Sequence, residues 1–293
     1  MSSSAGPVAV VDIAIPAPRP ASTSAPIRTK AATRWAFRII VIAYITVLIL
    51  VPVGLVFWRT FENGFGSVWD TLTTDSARSA FTVTAILCFW TVIGNTIFGV
   101  TASLLLVRHQ FPGKRMLSAF IDLPFAVSPV VVGLALIQVY GKHAPIGGFL
   151  ESHVTPVIFA LPGMTMATLF VTLPFVVREI VPVLEEIGDE QEKAAWTLGA
   201  SKRQTFFRIT LPSIRWALAY GIVLTLARAL GEYGAVAVVS GRVLDKTLTA
   251  PLYVDTLFTN FDQRGAYTVA MALAFIAILS LLVLNLLRPK EHT

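Results

Sequence analysis

The residues from Ile39 to Trp58 form an uninterrupted run of 20 without a charge. As a helix rising about 1.5 Å per residue, such a run crosses the roughly 30 Å of hydrocarbon in a bilayer. Inside lipid every backbone N–H and C=O must be bonded within the protein, which leaves spanning helices or closed barrels. Five further apolar stretches follow, at about Ala80 to Val107, Leu117 to Tyr140, Val157 to Val177, Trp216 to Ser240 and Ala266 to Leu287. The expected fold class is therefore an all-α membrane protein of six transmembrane helices. Only 14% of the 293 residues are charged and 55% are apolar, which excludes an ordinary soluble enzyme, where about a quarter would be charged. The second stretch is long enough to tilt or to project beyond the bilayer, and Pro124 and Pro129 are expected to kink the third.

The charges give an orientation. With the N-terminus inside, sixteen Lys and Arg fall in the inner segments and six in the outer ones, so the positive-inside rule places both termini in the cytoplasm. The net charge of +6 follows from that topology and requires no nucleic acid. Residues 1–34, rich in Ser, Ala and Pro, read as a disordered cytoplasmic tail dispensable for function. Residues 35–288 read as the membrane domain and 289–293 as a short cytoplasmic tail. Trp35, Trp58 and Tyr140 at the ends of apolar runs suit interfacial anchors.

Candidates for bond chemistry are few. One cysteine, Cys88, and four scattered histidines leave no disulfide framework and no Cys/His metal site. No GxxxxGK[ST], HExxH or GxSxG pattern occurs, so ATP and its Mg2+, if they drive anything here, must be bound by another polypeptide. The chain itself is expected to hold no cofactor and no metal, and to be no enzyme.

The connection from Arg178 to Arg215 is longer than a turn between spans requires. Within it Glu185 to Leu198 can form an amphipathic helix with Glu185, Glu186, Asp189, Glu190 and Glu192 on its acidic face, and Gly199 fits a C-terminal cap needing positive φ. Ser201 and Gln204 form an S-x-x-Q capping box opening a second short helix, which Leu211-Pro212 is expected to stop. Two short helices joined at a glycine, at about 185–212, make a knob for a partner's socket. A hairpin without a partner has the same outline, as does a DNA-binding helix pair, though a place between two spans disfavours the latter.

These residues carry a resemblance. Lys193-Ala194-Ala195, then Gly199, Ile209, Leu211 and Pro212, is similar to the EAA loop of ABC importer permeases, EAA-x3-G-x9-I-x-LP. The departure is Lys193 where the pattern has Glu, with Glu192 one position earlier. The segment Arg228-Ala-Leu-Gly231-Glu232-Tyr233-Gly234-Ala235 resembles the RxxGE[FY]GA signature of sulfate and molybdate permeases, and Leu123 to Leu134 resembles their third-span motif. The continuation through Gly241, Thr247, Thr249, Pro251 and Gly265 is similar to the W-type subunit of sulfate/thiosulfate importers, the CysW family. That resemblance covers about Ile39 to Leu287. It implies the type I ABC importer permease fold and one permease subunit in the cell membrane, importing sulfate or thiosulfate. Its implied partners are a homologous T-type permease, two ATP-binding subunits and an extracytoplasmic anion-binding protein. In that mechanism Glu192, Lys193, Ala194, Ala195, Gly199, Ile209, Leu211 and Pro212 serve ATPase coupling. A molybdate or tungstate permease is the nearest alternative, and an ion-coupled secondary transporter a more distant one.

Arg228 and Glu232 stand four apart in an apolar stretch, so on a helix they share a face and can pair. Unpaired at such depth each charge would cost about 2.5 to 3.5 kcal/mol. They should face protein or a wet cavity, either fixing helix packing or standing at a gate with Gly231, Tyr233 and Gly234. The two glycines permit close helix approach, the favoured reading, or local unwinding.

Overall fold

In a computed structural model the described residues are 31–153 and 156–287, and all their regular structure is helical. The tail before residue 31 and the last six residues lie outside them. Contacts divide the chain at Pro52 into two units. The first contains helix α1 (Ala31–Ile45), which begins inside the stretch read as tail, and a wide π-type turn, Thr46–Leu50. Apart from Arg38 and the half-buried Thr46, its described side chains are apolar or aromatic and exposed, as suits lipid contact. The apolar helix Phe37–Phe61 is the first candidate span.

The second unit holds α2 (Val51–Phe61), α3 (Gly64–Thr73), α4 (Asp75–Arg108), α5 (Lys114–Ala126), α6 (Pro129–Tyr140), α7 (Pro145–His153), α8 (Leu161–Ile187), α9 (Glu190–Thr197), α10 (Lys202–Thr205), α11 (Leu211–Leu230), α12 (Gly234–Val239), α13 (Ala250–Thr259) and α14 (Gln263–Leu287). Among the described residues five helices, Phe37–Phe61 included, are long and apolar enough to cross a membrane, or six where the bent pair α5 and α6 is counted as one broken span. At its centre α8 lies against both α4 and α11, which also touch each other.

Helix α4 buries polar and apolar side chains together, Leu87, Val100 and Leu106 among the latter. Its inward side carries Thr84, Thr91, Asn95 and Ser103, all buried, while Phe89, Trp90 and Ile97 face outward. Lipid is as apolar as leucine, so burying Leu against Leu gains little; close packing and hydrogen bonds join spans instead. Asn95 donates to the Thr172 hydroxyl at 2.7 Å and to the Leu169 carbonyl at 3.3 Å, joining α4 to α8. Gly99 of α4 and Gly221 of α11 both press on Val176. A Cβ at Gly99 would lie 2.5 Å from the Val176 Cγ1, and one at Gly221 2.9 Å from the Val176 Cα.

Three expectations do not hold. The third span is not kinked but broken, with a 114° bend, because Ser128 precedes Pro129 and is held extended (φ −61, ψ 134), as is Val127. The fifth apolar stretch does not run on to Ser240: α11 ends at Leu230 and α12 begins at Gly234. At the other end Leu211-Pro212 stops nothing, since one helix continues from Lys202 to Leu230. A π-type turn at Phe206–Thr210 precedes the proline, and its wider ring accommodates a residue without an N–H.

The two glycine contacts predict different genetics. Gly99→Ala should cost the assembled protein about 1–3 kcal/mol by overpacking, and Val176→Ala in the same chain should restore much of it. The same Val176→Ala change should not rescue Gly221→Ala, whose clash is with backbone. Melting of the purified protein checks both, and an unchanged Gly99→Ala midpoint would contradict this packing.

Candidate functional site

Two sites take shape, a knob at the ends of α4, α8 and α11 and a junction between the two broken spans. The knob is not one amphipathic helix from Glu185 to Leu198 as the sequence suggests. Helix α8 runs through Arg178 and on to Ile187, and Gly188 at φ +68 turns the chain before α9 begins at Glu190. Gly199 ends that helix at φ +84, and Ser201 with Gln204 forms the expected capping box. Leu198 is 89% exposed. Trp196 and Phe207 also show at the surface, beside Lys202, Arg203 and Arg208. Ala194 is exposed, while Ala195 and Ile209 are half-buried.

The position of Glu192 could not be read from the sequence. It leaves the supposed acidic face and is buried against Arg108, the last residue of α4. Arg108 Nε donates to Glu192 Oε2 at 3.0 Å and Nη2 to Oε1 at 3.3 Å. The same guanidinium donates to the carbonyls of Leu184 at 3.1 Å and Gly188 at 2.7 Å, groups that the end of α8 leaves without helical partners. The Thr210 hydroxyl, just before α11, donates to Glu192 Oε1 at 2.8 Å. One buried ion pair thus ties the knob to α4, α8 and α11. In the sequence Arg108 is legible only as one of the basic residues of the inner segments.

Lys193, where the loop pattern has Glu, points the other way. It is exposed and bonds Asp189 at 2.8 Å, holding that carboxyl below the usual carboxylate range. Higher up, Arg178 on α8 pairs with Asp122 on α5 at 2.9 Å and stacks over Phe125, just before the break.

At the junction Arg228 Nη1 and Glu232 Oε2 are 2.6 Å apart. They pair although Glu232 stands beyond the end of α11 rather than on the same helix. The Glu232 side chain is fully buried, and its Oε1 accepts the Ala235 N–H at 3.0 Å. Gly234 is close-packed, since a Cβ there would meet the Pro129 Cβ at 3.1 Å. Gly231 is not: nothing lies within 4 Å of a Cβ there, so at this position unwinding replaces the close approach expected. The predicted cluster also splits. Arg228 lines a cavity beside the α5/α6 break, whereas Gly231 and Tyr233 line another bounded by α13 and α14 residues such as Val254 and Leu273.

Apolar spans around two broken helices, with an ordered two-helix knob at one end, define a membrane-embedded transport subunit. Residues 95–289 match the family described as binding-protein-dependent transport system inner membrane component, and the chain belongs to that family. It is 44% identical over 247 residues to the sulfate transport system permease protein CysW of Synechocystis sp., covering 84% of this chain and 90% of that one. The CysW of Escherichia coli K12 is 41% identical over 241 residues, covering 82% and 83%. Among solved structures, a bacterial ABC transporter involved in import of the acidic polysaccharide alginate superposes with a TM-score of 0.71 at 16% identity, covering 87% of this chain and 94% of that one. The ABC importer permease fold expected from the sequence is therefore the fold of this chain.

The buried pair predicts a stability effect. Glu192→Ala, which leaves Arg108 charged and without its carboxylate, should cost about 3 kcal/mol, the lower end for breaking a buried pair. High salt should not mask it, as it would for a surface pair. Melting of the purified protein in low and high salt measures this, and an unchanged midpoint would show that the pair bears no load.

Proposed function

We propose that this chain is one permease subunit of an ATP-driven importer of sulfate or thiosulfate. It works beside a homologous T-type permease, two ATP-binding subunits that hold ATP and Mg2+, and an extracytoplasmic anion-binding protein. The chain makes and breaks no covalent bond itself. The observation that carries the reading is the knob of Glu190–Thr197 and the helix following Gly199, an exposed apolar tip rigidly backed by the Arg108–Glu192 pair. The names of its relatives support the anion, and the charge asymmetry supports both termini in the cytoplasm. Residues 1–34 serve as a tail, 35–288 as the permease domain and 289–293 as a second tail.

In this reading Glu192, Lys193, Ala194, Ala195, Gly199, Ile209, Leu211 and Pro212 form the coupling element. Lys193 meets the ATP-binding subunit and Glu192 holds the element to its own chain. Closure of the ATP-binding subunits pushes the knob, and the buried pair passes the displacement to α4, α8 and α11. The pathway gate is the broken-span junction, with Arg228, Glu232 and Gly234 on one side and Gly231 and Tyr233 on the other.

Two outcomes test this. Uptake of 35S-sulfate should return when this gene is restored to a deletion strain, and thiosulfate should compete better than molybdate at equal concentration. The reverse order would make the chain a molybdate or tungstate permease. Gly199→Val forces a β-branched residue to φ +84, a strain of about 1–3 kcal/mol, and should lower uptake at least tenfold while the subunit stays in the membrane. Normal uptake in that variant would remove the coupling role from the knob.

A further inference from the structure

The two broken spans meet, and the residue placed where they meet is a cation. Val127 and Ser128 are extended between α5 and α6, and Gly231 to Tyr233 separate α11 from α12. Helix α12 lies along α6, with Gly234 against Pro129. Beside this contact is a cavity of about 350 Å³ lined by Pro124, Ser128, Pro129, Val171, Phe175 and Arg228, among other residues. Val171 and Phe175 belong to the middle turns of the 27-residue α8, so the cavity lies deep in the membrane domain. Irregular backbone at such depth persists where it is buried in protein or lines a pathway, and a charge there marks a site by default. Arg228 is the one charged residue on this cavity's wall.

The partner of Arg228 is part of the same observation. The guanidinium is held by Glu232 Oε2, and its other N–H groups have no hydrogen-bond partner among the described residues. Its side chain stays 37% exposed while that of Glu232 is fully buried. Glu232 meets Arg228 as a charge through one oxygen, Oε2, while its Oε1 is taken by the Ala235 N–H, so the guanidinium keeps N–H donors of the kind that bond the oxygens of a tetrahedral oxyanion in pairs.

Resting on the sulfate reading above, we infer that Arg228 is a transient site for a divalent tetrahedral oxyanion and that Glu232 is the built-in carboxylate that clears it. With Glu232 beside it the site is neutral, so a dianion gains little and leaves readily. Without the carboxylate a lone cation in low dielectric would retain the dianion. Because Glu232 is tethered four residues away, it recaptures Arg228 intramolecularly, at a high effective concentration. The carboxylate thereby prevents the attraction that draws an anion inward from becoming a trap.

The test is equilibrium binding of 35S-sulfate to the complete transporter in nanodiscs, without anion-binding protein or nucleotide. Glu232→Gln should bind sulfate at least tenfold more tightly than the unaltered complex and take it up more slowly after reconstitution. The double variant Glu232→Gln with Arg228→Gln should lose that binding. Equal affinity in Glu232→Gln and the unaltered complex overturns the proposal, as does tight binding that survives the loss of Arg228. A second measurement needs no variant that folds: in the unaltered complex, millimolar sulfate should slow phenylglyoxal modification of Arg228 severalfold, and chloride at equal ionic strength should not. Equal protection by both salts, or by neither, also overturns it. Sulfate uptake by the same unaltered preparation separates the two claims. Its absence removes the substrate reading, whereas normal uptake without binding at Arg228 removes only this inference.

Discussion

A bilayer supplies no hydrogen bonds, and this constraint shapes the rest of the molecule. A span that breaks within the membrane must have its freed backbone groups and any nearby charge satisfied by protein. Here both interrupted spans meet that demand together. The turn after α11 is fixed by Glu232, which accepts the Ala235 N–H and holds Arg228, and α12 then lies along α6 with Gly234 against Pro129. The charge pair therefore belongs to the fold and to the candidate pathway at once.

The same economy appears at the knob. Arg108 satisfies carbonyls that the end of α8 leaves open, and its charge is met by Glu192 from the knob. Thr210 adds the start of α11 to the same carboxylate. A displacement of α9 away from these helices would expose a buried charge, so the knob is held firmly rather than being a loose loop. Between the two sites α4, α8 and α11 are joined by close contacts at Gly99 and Gly221 and by the Asn95 hydrogen bond.

What the sequence disclosed follows from which signals are local. Apolar runs, the capping box at Ser201 and the positive φ at Gly199 are decided within a few residues, and all were legible. The break at Ser128 was half legible: Pro129 announced a disturbance, but a kink and a 114° bend have the same sequence. Pro212 misled in the opposite direction, because a π-type turn five residues long removed the conflict that a proline normally creates. Glu192 was invisible as a buried group, since it sits among four other acids and its partner is distant in sequence at Arg108. The division of Arg228 from Tyr233 between two cavities was likewise hidden, because the unwinding at Gly231 resets which way each side chain points. Burial and pairing of charges are tertiary facts, and they are where the coupling and gate assignments now rest.

The central claim is that this chain moves an anion only when a separate ATP-binding subunit drives its knob. Proteoliposomes containing this subunit, a T-type permease and the ATP-binding subunits measure that directly, with anion-binding protein and 35S-sulfate outside and ATP or a non-hydrolysable analogue inside. The account predicts accumulation of sulfate with ATP and none with the analogue, whatever ion gradients are imposed. Accumulation driven by a proton or sodium gradient in the absence of ATP would contradict it.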